Sequence, residues 1–461
     1  MPFPKDFVWG AATSSYQIEG GATQDGRGPS IFDVFCRRPG AVYMGHTGDV
    51  AADHYNHARE DVGLMQQIGL RAYRLSISWS RVFPDGTGAI NEKGLAFYDR
   101  LVDDLLAAGI DPWITLFHWD LPQGLQNRGG WFNRDCAEWF GAYADAVVRR
   151  LSDRATAWMT INEPQVYVKF GHGDGKIAPG MKLGLDEQVI VCHNTLRAHG
   201  RGVQAIRAAA KKTPKVGWAL VGRTDVPATD TPQDIAAARQ GTMGISQPDM
   251  WNNTWYADPV FFGHYPEDGL RVFGPGAQPP VEPGDMDLIK QPLDFYGLNI
   301  YDARRVRAGK DGSVEIVPFP DGHPQTAIRW FIVPPALRWG PRFIHERYKV
   351  PVYITENGLS SIDWVMLDGR VHDPQRIDYT TRYLIELEKA IADGVDMRGY
   401  FHWSLLDNFE WAEGYKERFG LIHVDFPTGK RTLKDSAHWY RRIIESNGAS
   451  LHAAPETQFA R

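Results

Sequence analysis

The sequence predicts an α/β fold, a single (β/α)8 TIM barrel with long βα loops over residues 1–461, on three observations. Eight short apolar runs alternate with longer segments of helical periodicity. The runs are continuously apolar, as strands buried on both faces are. They end in polar or functional-looking residues, as barrel strands do at the C-terminal mouth where chemistry resides.

In chain order the strand candidates are residues 7–12, 73–79, 112–118, 157–162, 216–220, 295–299, 352–356 and 398–404. Between them, residues 92–108 place Leu95, Tyr98, Leu101, Val102, Leu105 and Leu106 on one helical face, with Gly109 as the stop. Residues 58–68 and 373–392 are further helices, closed by Gly69 and Gly394. The barrel needs about 250 residues, and the surplus is expected in βα loops. The stretches 273–284 and 307–325 read as surface loops, the second with a short hairpin.

Composition narrows the function. The net charge is −6 with both signs interspersed, which leaves no basic footprint for nucleic acid or an anionic membrane. No run approaches the roughly 20 apolar residues that cross a bilayer. Cys36, Cys136 and Cys192 are odd in number and widely spaced, arguing against a disulfide framework and a zinc site. With no leader pattern at residues 1–12, the expected location is cytoplasmic. His54 and His57 lack a carboxylate that would complete a metal motif, so neither a metal nor another cofactor is expected. Gly171-His172-Gly173-Asp174-Gly175-Lys176 lacks the Ser/Thr that a phosphate loop carries after its lysine, and reads as a turn near the site.

Two glutamates carry the chemistry. Asn162-Glu163-Pro164 and Thr355-Glu356-Asn357-Gly358 each set a carboxylate at the tip of a buried strand, where it contributes nothing to packing. A strand-end glutamate also serves as a helix cap or ion-pair partner. Two at one barrel mouth supply what glycosidic cleavage needs, an acid for the leaving oxygen and a carboxylate for the anomeric carbon.

The sequence resembles glycoside hydrolase family 1, the β-glucosidase family, over nearly its whole length. The matching stretches are Phe7-Val8-Trp9-Gly10 through Gln17-Ile18-Glu19-Gly20, Tyr73-Arg74-Leu75-Ser76-Ile77-Ser78-Trp79 and Phe117-His118-Trp119-Asp120. They continue with Thr160-Ile161-Asn162-Glu163-Pro164, Ile354-Thr355-Glu356-Asn357-Gly358 and Trp403-Ser404 through Asn408-Phe409-Glu410-Trp411. The resemblance implies a retaining β-glucosidase with Glu356 as nucleophile and Glu163 as general acid/base. Arg74 and Tyr301 would hold Glu356 and lower its pKa, Asn299 would support the pair, and Asn162 would bind the sugar 2-hydroxyl. Gln17, His118, Trp119, Glu410, Trp411 and Phe419 would contact the non-reducing sugar, above a floor formed by Trp403 whose peptide to Ser404 is implied to be cis. Gln165 and Trp330 would face the aglycone.

Two departures from the family pattern, Ile300 and Gln165, fall where aromatics are common and affect the aglycone wall. The implied partners are small β-glucosides or cello-oligosaccharides, with side activity on galactosides or fucosides. One rival is a 6-phospho-β-glycosidase, which would need phosphate binders where this chain has Glu410-Trp411. Another is a non-catalytic sugar-binding protein on the same barrel, and such proteins typically lack one of the two glutamates. A transglycosidase shares the first half-reaction.

Overall fold

The computed structural model describes residues 3–453. Eight parallel strands close into a barrel: β1 (Val8–Ala12), β2 (Ala72–Ser76), β3 (Asp111–Phe117), β4 (Ala157–Asn162), β5 (Lys215–Val221), β6 (Tyr296–Asn299), β7 (Val352–Asn357) and β8 (Met397–Trp403). Each pairs with its neighbours in sequence, and β8 closes the ring on β1 from Val8 opposite Gly399 to Ala12 opposite Trp403. All eight fall on the runs that the sequence marked.

Size alternation fills the barrel interior. Ala12, Ala72, Ala157 and Ala219 make room for Trp113, Phe295, Tyr353 and Phe401, whose rings meet Trp113 at centroid distances of 4.8–5.5 Å. The lower barrel is therefore a packed core, and only its upper end is free to hold a ligand.

Helices cover the outside, including His54–Ile68, Glu92–Ala107, Cys136–Leu151, Leu185–Ala209, Ala336–Tyr348, Pro374–Ala392 and Asp435–Glu445. Gly69 closes the first with φ 76°, a left-handed value that glycine adopts without strain. In Glu92–Ala107 the buried arc holds Leu95, Tyr98, Leu101, Val102 and Leu105, but Leu106 is 39% exposed. At 100° per residue Leu106 falls just past the edge of that arc, so its expected place on the core face is corrected.

The long loops carry structure of their own. Arg304–Ala308 and Val314–Ile316 form the expected hairpin, and Asp225–Pro227 joins it in parallel to make a three-stranded sheet over the β5 and β6 loops. Residues 171–176 differ from the simple turn expected: their first three close the π-helical segment Tyr167–Gly173, which follows the short helix Pro164–Val166 after β4. Cys36, Cys136 and Cys192 are buried and free. Among the described residues no helix is long and apolar enough to cross a membrane. His54 and His57 make helix contacts, to Asp61 at 2.7 Å and to the Asp53 carbonyl at 3.0 Å.

Candidate active site

A cavity of about 870 Å³ opens at the C-terminal end of the barrel, and Glu163 and Glu356 both line it. Their placement follows from the strand ends. Glu163 is the residue after β4; its backbone N–H donates to the Ala219 carbonyl at 2.7 Å, and its φ of 41° turns the chain out of the strand. Trp119 and Trp411 share that left-handed backbone, a rare state for bulky residues that concentrates at functional sites. Glu356 lies near the end of β7, where Gly358 permits close approach: a Cβ there would sit 1.7 Å from the Trp403 carbonyl oxygen. The Trp403–Ser404 peptide is cis.

A hydrogen-bonded relay joins the two carboxylates. Asn299 Nδ2 donates to Glu163 Oε1 at 2.8 Å and to Asn162 Oδ1 at 3.1 Å. Arg74 Nη2 donates to the same Asn162 oxygen at 2.6 Å, and Arg74 Nη1 donates to Glu356 Oε1. Tyr301 Oη donates to Glu356 Oε2 at 2.7 Å. The supports are held in turn. Thr355 Oγ1 donates to Asn299 Oδ1 at 2.6 Å, and the hydroxyls of Tyr379 and Tyr383 both donate to the Tyr301 carbonyl.

Burial and charge separate the two carboxyls. Glu163 is held well above the ordinary carboxylate range, first by burial and then by the negative charge of Glu356. Glu356 is raised as well, because burial outweighs the lowering by Arg74 and Tyr301. The expectation that its partners bring Glu356 down is thereby corrected: they moderate a rise that burial imposes. Of the two, Glu163 is displaced further, which suits a proton donor beside an ionised neighbour.

The inner end of the cavity is lined by His118, Trp119, Trp403, Glu410, Trp411 and Phe419. Asn162 Nδ2 meets His118 Nε2 at 3.1 Å, while His118 Nδ1 has no protein partner. Burial, then Arg74, pushes the His118 pKa well down, so the ring is neutral. Burial pushes Glu410 up to about 8, helped by Glu356, Glu417 and Glu413. Glu410 is therefore protonated near neutral pH, and carboxyl groups surround it. Gln17 is buried beneath it and donates from Nε2 to Glu410 Oε2 at 3.2 Å and to the Phe409 carbonyl at 3.0 Å. Arg74, Asn162 and Gln17 stand behind the lining rather than in it.

Toward solvent, Trp330 lines the cavity with its ring 5.0 Å from that of Tyr301. Gln165, expected on this wall, is 1% exposed and does not border the cavity; the neighbouring Val166 does. The turn after Glu163 rotates residue 165 inward, where its amide has no partner. Lys176, in the stretch expected near the site, lines the outer part; sequence reasoning missed Phe170, Arg223, Gln247 and Trp251, which line it too. Arg223 carried a usable signal, because it lies two residues past the end of β5.

Comparison with known proteins agrees with this geometry. The family model described as Glycosyl hydrolase family 1 matches residues 1–449. Beta-glucosidase A of Thermotoga maritima is 44% identical over 97% of this chain and 98% of its own. A beta-glucosidase of Agrobacterium sp. is 45% identical, covering 96% of this chain and 95% of its own. Among solved structures, the Thermotoga maritima beta-glucosidase in complex with glucoimidazole matches with a TM-score of 0.88 at 44% identity, over 97% of this chain and 99% of the other. The same enzyme in complex with deoxynojirimycin matches equally well. The chain belongs to glycosyl hydrolase family 1.

Proposed function

We propose that this protein is a retaining β-glucosidase that removes β-linked glucose from the non-reducing end of small β-glucosides. The observation that carries the reading is the buried pair Glu163 and Glu356, joined through Asn299, Asn162 and Arg74. In the first step Glu356 attacks the anomeric carbon while Glu163 gives its proton to the leaving oxygen. Arg74 and Tyr301 orient the attacking carboxylate. Forming the glycosyl ester removes the charge of Glu356, so the pKa of Glu163 falls and the same carboxylate takes a proton from the incoming water.

The inner residues suit a hexose, which offers hydroxyl edges and an apolar face. His118 and Glu410 supply polar partners, backed by Asn162 and Gln17, while Trp403, Trp411, Trp119 and Phe419 supply aromatic surface. Trp330 faces the aglycone. We read residues 1–461 as one catalytic unit needing no metal or other cofactor; residues 1–2 and 454–461 lie outside those described. Three free buried cysteines support a reducing, cytoplasmic setting.

The 6-phospho-β-glycosidase alternative is disfavoured by the carboxyl groups around Glu410, which put a phosphate in an acidic surrounding where the nearby Lys416 is already paired with Glu413 and Glu417. Steady-state kinetics on 4-nitrophenyl β-glucoside and its 6-phosphate tests the choice. Cleavage of the unphosphorylated substrate alone is expected; faster cleavage of the phosphate would overturn the reading.

A further inference from the structure

The outer wall on the Glu163 side holds a cation without a matching anion. Arg223 lines the cavity past the end of β5, and Gly222 before it is anchored by its N–H to the Asn299 carbonyl at 2.6 Å. That anchor ties the loop to the residue that hydrogen-bonds Glu163, so Arg223 stands on the side where the leaving group departs. Its Nη1 donates to the Trp251 carbonyl at 2.7 Å, and no other hydrogen bond from the guanidinium is formed among the described residues. Nor does any carboxylate there lie within 4 Å of it.

The neighbouring charges are already spoken for. Arg304 binds Asp225 through two hydrogen bonds of 2.7 Å. Lys169 lies 3.1 Å from Asp174 and 3.7 Å from Asp249, and Lys176 lies 3.5 Å from Asp174. Elsewhere on the lining, Glu413 is paired by Lys416, and Asp302 has no cation within 4 Å among the described residues. Around the Arg223 wall, Arg304, Lys169 and Lys176 each have a carboxylate within 4 Å, whereas Arg223 has none among the described residues. Burial and then the repulsion from Arg304 lower its pKa, against a smaller opposing pull from Asp225 and Asp249. Beside it the wall is aromatic: the rings of Phe170 and Trp251 sit 5.0 Å apart, and both residues line the cavity.

We propose that Arg223 gives the leaving-group side of this site a preference for β-glucosides whose aglycone is an aromatic ring bearing a carboxylate. The inference rests on the glucosidase reading above and names a substrate class within it. The aromatic wall takes the ring, and the free edge of the guanidinium takes the carboxylate by charge-assisted hydrogen bonds. Neutral glucosides use the same wall without that contact.

The test compares kcat/KM for 4-carboxyphenyl β-D-glucoside with that for its methyl ester, nearly the same shape without the charge. The ester's phenol is the better leaving group, so the quantity read is the change in the ratio between protein forms. In Arg223→Gln the carboxylate-to-ester ratio should fall about tenfold, the size of one partly solvated charge pair, and Arg223→Lys should keep most of it. In the unaltered protein the ratio should also fall as salt rises to about 0.5 M, where screening shortens the reach of an exposed charge. A ratio unchanged in Arg223→Gln, or insensitive to salt in the unaltered protein, overturns the proposal while ester cleavage leaves the glucosidase reading standing. Failure of the unaltered protein to cleave either compound overturns both.

Discussion

At the inner end of the cavity, Asn162, Asn299 and Glu356 sit at strand ends, and residues from other strands and strand ends around the barrel hold each of them through at least two hydrogen bonds. Toward solvent, Phe170, Lys176, Arg223 and Trp251 come from the β4 and β5 loops, and the guanidinium there makes a single hydrogen bond among the described residues. The inner groups are locked before a ligand arrives, as catalysis by preorganised dipoles requires. The outer groups keep free hydrogen-bonding capacity. Rigid strand ends serve the chemistry, while the loops beyond them are free to set which aglycone is preferred.

Removing an inner carboxylate should break the contrast hardest. Glu356→Ala is expected to lose at least about 10⁴-fold in turnover of an aryl β-glucoside, the scale of losing a nucleophile. Supplied with azide, it should form the α-glycosyl azide, detectable by mass spectrometry and NMR. Formation of the β-azide would mean that Glu356 does not occupy the attacking face.

The pH dependence sharpens the comparison, because the inner pair is tuned by burial. Glu356 must be ionised, and its pKa is raised, so kcat/KM is lost as pH falls through that value. Glu163 must be protonated, and its pKa is raised further, so kcat/KM is lost as pH rises through its value. A bell is expected, each limb falling about tenfold per pH unit, with apparent pKa values that belong to the pair. In Glu356→Gln the Glu163 pKa, followed by carboxyl carbon NMR, should drop yet stay above the ordinary carboxylate range, since burial remains. No drop would mean that burial alone sets the acid.

The smallest effect belongs to the outer wall. Trp330→Ala should lower kcat/KM for an aryl glucoside by about tenfold, through a lost ring contact beside Tyr301. A loss as large as that of Glu356→Ala would erase the distinction between the two regions.

The same division explains what the sequence made legible. Barrel strands are buried on both faces and read as apolar runs, so all eight could be found, and the strand-end rule placed Glu163 and Glu356 at one mouth, to which the family resemblance added Asn299 and Trp403. Tertiary charge balance is not written in local pattern. That burial outweighs Arg74 at Glu356, and that Glu410 is pushed up to about 8, depends on surroundings gathered from several strands. Loop side chains carry no period, so Phe170 and Trp251 gave no warning, and Gln165 could not be assigned a side without the turn that buries it.

In the mechanism proposed for this site, Glu356 attacks one face of the sugar and Glu163 then directs water to the same face that the leaving group left. Proton NMR of aryl β-glucoside hydrolysis, recorded before mutarotation equilibrates the product, reads this directly. β-Glucose should appear first and the α anomer only later. If α-glucose is the first product, the pair works by single displacement, and the roles given to Glu163 and Glu356 are wrong.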